Sequence, residues 1–264
     1  MPALRSLLTV LCLTCLSLSA HGEKLRIVTD PWAPYAYEQN GKGLGIDYEV
    51  TATVFARLGV DIEWQFLPWK RCLAMLDEGE ADGVLDIFRT PEHEAKLLFP
   101  DEPLSEVEFV LFQATATPHD ISRLADLQGL TVGTSAGYDY GEVFMQASQF
   151  KRESAASQEA NFGKLIRNRV DLIITDRRVG AFTVDTMGLQ GKVSALPLVV
   201  NRQQQYLAVR RGAGMDQLAL RFSIELKRFK REPAYAQLVA RYSHAAGLAG
   251  AADKTVEQHE RGAL

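Results

Sequence analysis

LRIVTDPWAPYAYEQNGKGLGIDYEVTATVFARLGVDIEWQFLPWKRCLAMLDEGEADGVLDIFRTPEHEAKLLF, residues 25 to 99, is the stretch that decides the fold. Leu25 to Thr29 is apolar and β-branched enough for a buried strand, and Asp30, Pro31 and Pro34 stop it in a loop at its C-terminal end. Ile46, Val50, Val54 and Leu58 recur every four residues, which predicts a helix with one apolar stripe, ended by Gly59. Val60 to Phe66 reads as a strand, Trp69 to Glu78 as a helix with Leu73 and Leu76 inward, and Gly83 to Ile87 as another strand. Strands alternating with helices imply right-handed βαβ units on a mostly parallel sheet.

Ahead of this stretch, Arg5, an uncharged apolar run from Leu7 to Leu18 and small residues at Ala20 and Gly22 have the layout of an export signal. We expect cleavage after Gly22 and a periplasmic mature chain of about 240 residues. That is too long for one small core and suits two lobes. Cys12 and Cys15 fall inside the signal, so Cys72 alone remains, spaced with Leu73 and Leu76 as a buried helical thiol. The formal charge is −4 with signs mixed along the chain, which argues against nucleic acid as a partner. Five scattered histidines show no metal-binding spacing, and no metal or cofactor is expected.

Beyond residue 99, Val107 to Gln113 reads as a strand, and a second βαβ set opens at Leu130 to Gly133. Helices at about Tyr138 to Ser148 and Gln158 to Asn168 follow, with strands at Leu172 to Thr175, Val193 to Val199 and Leu207 to Val209. Helices over Met215 to Lys230 and Ala234 to Ala245 close the fold. The chain changes character near Phe112 and Arg202. Residues 23–111 with 203–248 then form a discontinuous first lobe, 112–202 the second, and 249–264 an unpatterned tail.

Taken in order, T-D-P-W-A-P-Y-A-Y, G-I-D-Y-E-V with A-R-L-G-V, G-E-A-D-G, T-P-E-H with L-F-P-D-E-P-L, L-A-D-L-Q-G-L-T-V-G and R-N-R-V-D-L-I-I-T-D resemble the family 3 bacterial extracellular solute-binding proteins, over about Leu25 to Tyr242. The resemblance implies an α/β, periplasmic-binding-protein-like clamshell of two βαβ lobes joined by a two-strand hinge. It also implies a small polar ligand, an amino acid or related amine or carboxylate, and delivery to an ABC transporter permease, with a monomer as the default. It places Trp32 against the ligand with Asp30 beside it, and Trp69 on the other side; the alternative is that both are core aromatics. His93 stands where the family's amino-acid binders carry the arginine that forks onto a carboxylate. Arg89 either replaces that arginine or is a solvated charge. Asp86, where the family has serines, suits a cationic ligand group, or caps the following helix or pairs with Arg89. Asp176 matches the acid that holds an α-amino group. Ser135 to Gly141 reads as the opening of a helix suited to an anion, with Tyr138 and Asp139 replacing small hydroxyl residues.

Three other readings compete. A membrane sensor in place of a permease needs the same clamshell. Cyclohexadienyl dehydratases share it as well, and Asp86, Asp139 and Asp176 would then supply acid and base. Gly133 to Gly137 also matches G-x-S-x-G, with Asp176 or Asp185 and His244 completing a hydrolase order, although Ser135 is more simply a helix cap.

Overall fold

The strand from Leu25 forms as the pattern predicts: in the computed structural model, which describes residues 24–245, β1 (Leu25–Thr29) lies between two parallel neighbours. The hairpin of β2 (Tyr37–Gln39) and β3 (Lys42–Leu44) leads into α1 (Ile46–Leu58), which Gly59 ends in a left-handed conformation. Then come β4 (Ile62–Phe66), α2 (Trp69–Asp77), β5 (Gly83–Phe88), α3 (Pro91–Lys96) and the two-residue β6 (Leu97–Leu98). Both β4 and β5 pair with β1 in parallel, the right outcome for βαβ crossovers. Ile27, Val50, Val54, Phe55 and Leu85 pack on one face of this half of the sheet. Val28, Cys72, Leu76 and Ile87 fill the other. Cys72 is fully buried, and burial raises its thiol pKa to about 12.

Two long strands carry the chain between the halves. β7 (Ser105–Ala114) and β11 (Val193–Arg210) run antiparallel at the centre, and β11 also pairs with β5. On the far side lie β8 (Thr131–Ser135), α4 (Glu142–Gln146), β9 (Lys151–Ala155), α5 (Gln158–Ile166), β10 (Leu172–Asp176) and α6 (Arg177–Thr186). There β8 pairs in parallel with β9 and β10, whereas β10 meets β7 antiparallel from Phe109 to Gln113. The nine-stranded sheet is therefore parallel in its flanks and antiparallel in the middle, not mostly parallel throughout. α7 (Met215–Phe229) and α8 (Pro233–Ala245) return to pack Phe222, Leu226 and Phe229 on the first half.

Several expectations are corrected. The two strands at Val193 to Val199 and Leu207 to Val209 are one, because the polar Asn201 to Gln205 between them pairs through its backbone with Ser105 to Phe109. The helix expected from Tyr138 starts only at Glu142 and ends at Gln146: Gly137 and Gly141 take positive φ (83° and 94°), and the Tyr140 hydroxyl is held by the Ser135 N–H. Ser135 itself ends β8 and caps no helix. α6, over Arg177–Thr186, is not among the helices expected from the sequence; it opens on Arg177 and Arg178 and depends on the Asp176 cap. Its Gly180 lies against the Phe112 ring, where an added Cβ would sit 2.1 Å from a ring carbon. The export signal and the tail from 249 lie outside the described residues. Among those described, no helix is long and apolar enough to cross a membrane.

Candidate functional site

A cavity of about 310 Å³ opens where the C-terminal ends of β1 and β5 face the loop after β8. Its walls include Asp30, Trp32, Trp69, Asp86, Phe88, His93, Tyr138 and Asp139. Seven of the nine residues singled out from the sequence thus meet at one place. The T-D-P-W-A-P-Y loop shapes one side: the Trp32 N–H donates to the Ala36 carbonyl and the Tyr35 N–H to the Trp32 carbonyl. This turn pushes Trp32 and Tyr35 out of the first half and into the apolar cluster of the second, with Val107, Phe109 and Tyr140. Trp32 also meets Tyr138 edge to face at 5.8 Å. Trp32 is therefore both a buried aromatic, 5 % exposed, and a cavity wall, whereas Trp69 is half-buried.

One polar contact bridges the halves across the cavity. The Tyr138 hydroxyl donates to Asp30 Oδ2 at 2.6 Å. Burial raises the Asp30 pKa to about 6, against the lowering effect of the Tyr138 bond. Asp86 is more extreme. Both its carboxylate oxygens are buried and receive no donor, and its backbone sits at φ 61°, a conformation that most side chains avoid. Burial, then the charge and contact of Asp47, then Asp30, hold its pKa well above the carboxylate range. Asp47, fully buried in the first turn of α1, accepts from the Ser105 hydroxyl at 2.6 Å and leans on Asp86. Burial and the neighbouring Asp47 therefore both favour the protonated form of Asp86, whose carboxyl is in hydrogen-bond contact with that of Asp47.

His93 holds its Nδ1 against the Phe88 carbonyl at 2.8 Å, leaving Nε2 as the ring's other polar atom. Asp139 borders the cavity while one of its oxygens accepts from the Gly141 N–H. The remaining two residues are elsewhere. The Arg89 guanidinium turns outward to Glu94 at 2.5 Å and lies over the Phe99 ring, so it does not supply the missing carboxylate partner. Asp176 is buried as the cap of α6: it accepts the N–H groups of Arg178 and Val179, the Glu108 N–H and the Tyr35 hydroxyl. The helix after β5 is capped by Thr90, which accepts from the His93 N–H, and Asp86 pairs with neither that helix nor Arg89. The anion-binding helix opening at Tyr138 is absent, as the late start of α4 requires.

Behind Tyr138 and Asp30 a second space of about 520 Å³ shares Trp32 and Trp69 and is bordered by Lys70, Ser135, Ser157 and Gln158. Ser135 Oγ accepts from Gln158; of the two acids offered for the Ser–Asp–His order, Asp176 is occupied by four donors and Asp185 accepts from the Gln190 side chain. Asp47 is the residue that sequence reasoning missed. In the first turn of a helix it reads as a solvated partner of the helix dipole, and nothing local marks it as buried. Among the described residues no group of three His, Cys, Asp or Glu is placed to hold a metal.

Residues 25–245 match the family described as bacterial extracellular solute-binding proteins, family 3, and the chain belongs to it. The probable amino-acid-binding protein YxeM of Bacillus subtilis (strain 168) is 24 % identical over 170 residues, 63 % of this chain and 64 % of that relative. The match thus spans under two thirds of its length. The structure of the amino acid ABC transporter substrate-binding protein AbpA of Streptococcus pneumoniae, bound to L-arginine, superposes with a TM-score of 0.72 at 18 % identity, covering 84 % of this chain and 95 % of that one. A histidine kinase sensor domain similar to periplasmic binding proteins gives 0.72 and 18 %, covering 83 % and 96 %. The fold is therefore the periplasmic-binding-protein clamshell expected from the motifs.

Proposed function

We propose that this member of the family is a periplasmic solute-binding protein whose lobes close on a small polar ligand and present it to an ABC transporter permease. The observation that carries the reading is the cavity itself. It lies between the two halves of the sheet, walled by Trp32, Trp69 and Tyr138, and is closed by the Tyr138–Asp30 hydrogen bond. Residues 23–111 with 203–248 and residues 112–202 are the two moving bodies, with β7 and β11 as the flexing strands. A ligand that touches both bodies stabilises the closed form by its differential affinity for it. Export through a signal cleaved after Gly22 accounts for the compartment.

A thermal-shift screen of the mature protein against amino acids, amines and organic acids tests this, with each hit recovered and checked for chemical change. A ligand at about 100 times its Kd adds about 2.7 kcal/mol, a shift of several degrees for a chain of this size. A stabilising compound returned intact supports transport binding. A compound that is consumed replaces this reading with catalysis in the same cleft. No shift with any class contradicts solute binding.

A further inference from the structure

We propose that Asp47 and Asp86 hold one proton between them, and that this proton fastens β5 to α1 and to the start of β7. That corner of the protein is then firm in acid and loosens as pH rises. The device belongs to the framework around the cavity and works whatever the ligand.

Its placement begins with a β-bulge. Leu85 and Asp86 of β5 together lie opposite Leu207 of β11, between the pairs Val84–Ala208 and Ile87–Tyr206. Val84 and Ile87 consequently pack in the same apolar cluster although they are three residues apart. Asp86 takes the extra position, at φ 61°, and its carboxyl meets that of Asp47 inside the protein. Asp47, in the first turn of α1, is fully buried and accepts in turn from the hydroxyl of Ser105, the first residue of β7.

The donors present are too few for two carboxylates. Of the four carboxyl oxygens, both of Asp86 and one of Asp47 are buried without a partner, and the fourth has Ser105 alone among the described residues. The cations that act on Asp47 are engaged elsewhere: Lys230 with Glu102 and the Pro103 carbonyl, Arg178 with the Tyr35 hydroxyl and the Glu106 carbonyl. Asp30, on the loop after β1, adds a further negative charge beside Asp86. The phenols that sense the pair, Tyr35, Tyr138 and Tyr235, are all pushed above the ordinary tyrosine range by burial and stay neutral where carboxyls titrate. Two bare carboxylates in contact would incur both repulsion and desolvation, whereas one proton turns the contact into a hydrogen bond. Burial lifts Asp47 to about 6 and Asp86 well above the carboxylate range, so from about pH 4 upward the folded protein binds more protons than the unfolded chain. The stability that the proton supplies is therefore complete below about pH 4 and is lost as pH rises through about 6 and beyond.

The test compares the Asp30→Asn protein with and without Asp86→Asn, so that the Asp30 carboxyl does not enter the difference. Asparagine tolerates the left-handed conformation, and its amide donates to Asp47 at every pH. Thermal unfolding should find the double variant melting several degrees higher at about pH 8, with a smaller gap at about pH 5. Infrared spectra at neutral pH should show the carbonyl band of a protonated carboxyl in the single variant and a weaker one in the double. Asp47→Asn in the same background should act alike, which covers a failure of the first double variant to fold. A gap that is equal at both pH values overturns the proposal. So does a protonated-carboxyl band that is absent from the single variant, or one that survives both substitutions undiminished.

Discussion

Replacing Asp30 by asparagine should make the unliganded protein more stable at neutral pH while damaging its site. Burial raises the carboxyl of Asp30 from 3.8 to about 6. Each pKa unit is worth about 1.4 kcal/mol, so the full penalty for holding the charged form in place is about 3 kcal/mol. Asp30 is half-buried, so solvent screening reduces this to about 2 kcal/mol. The folded-state pKa lies above the unfolded one, so the folded state binds more protons between them. The penalty is then fully present above about pH 6 and is relieved as pH falls from about 6 toward 4. Asparagine keeps a carbonyl oxygen to accept from Tyr138 and carries no charge to desolvate. Urea or thermal unfolding at pH 7.5 and pH 5 should therefore find Asp30→Asn more stable than the parent by about 2 kcal/mol at the higher pH, a rise in Tm of about 4 to 8 °C. The advantage should shrink at the lower pH. A variant less stable than the parent at pH 7.5, or one with the same stability difference at both pH values, refutes the assignment of a desolvated charge at Asp30.

Tyr138→Phe removes the bond that joins the halves across the cavity, worth about 1.5 to 3 kcal/mol for a charged acceptor, and leaves the Tyr35–Asp176 bond between them in place; X-ray scattering of the unliganded variant should show a larger radius of gyration, and an unchanged one contradicts closure by this contact. Asp176→Ala should unfold more easily by about 3 kcal/mol, from the lost cap and from the donors left unpaired at Glu108 and Tyr35. Its ligand affinity, measured below its melting point, should change less than about threefold; loss of binding with normal stability would return Asp176 to the site. Arg89→Ala breaks an exposed ion pair worth about 0 to 1 kcal/mol and should leave both stability and affinity near those of the parent. A large loss of affinity would mean that Arg89 reaches the ligand.

The first half of the fold was legible because its apolar residues keep strict periods: Val50, Val54 and Leu58 on α1, and the short β-branched runs of β1 and β5. Elements that are charged along their length or that depend on tertiary contacts were not. β9 is K-R-E-S-A, a charged edge strand exposed over most of its length, and charge is what keeps such an edge from pairing further. α6 begins at two arginines and depends on the Asp176 cap and the Gly180 contact with Phe112, both tertiary facts. The site was legible to the extent that loops at the C-terminal ends of parallel strands converge on one crevice. That placed Asp30, Trp32, Trp69, Asp86, His93, Tyr138 and Asp139 together. Asp176 ends a strand in the same way, but its carboxylate turns to the backbone of its own helix. Motif position cannot distinguish a carboxylate facing a ligand from one facing an N–H. Asp47 escaped notice for the complementary reason, since its burial depends on β5 and β7 closing over α1.

The chain has three tryptophans, Trp32, Trp64 and Trp69, and the two that line the cavity offer the most direct measurement. In a Trp64→Phe variant all tryptophan emission comes from Trp32 and Trp69. Titration with the tightest ligand found should produce a saturable change in that emission with the same Kd that calorimetry gives. A ligand that binds by calorimetry and leaves this emission unaltered would be seated elsewhere on the molecule, and the cavity between the lobes would not be its site.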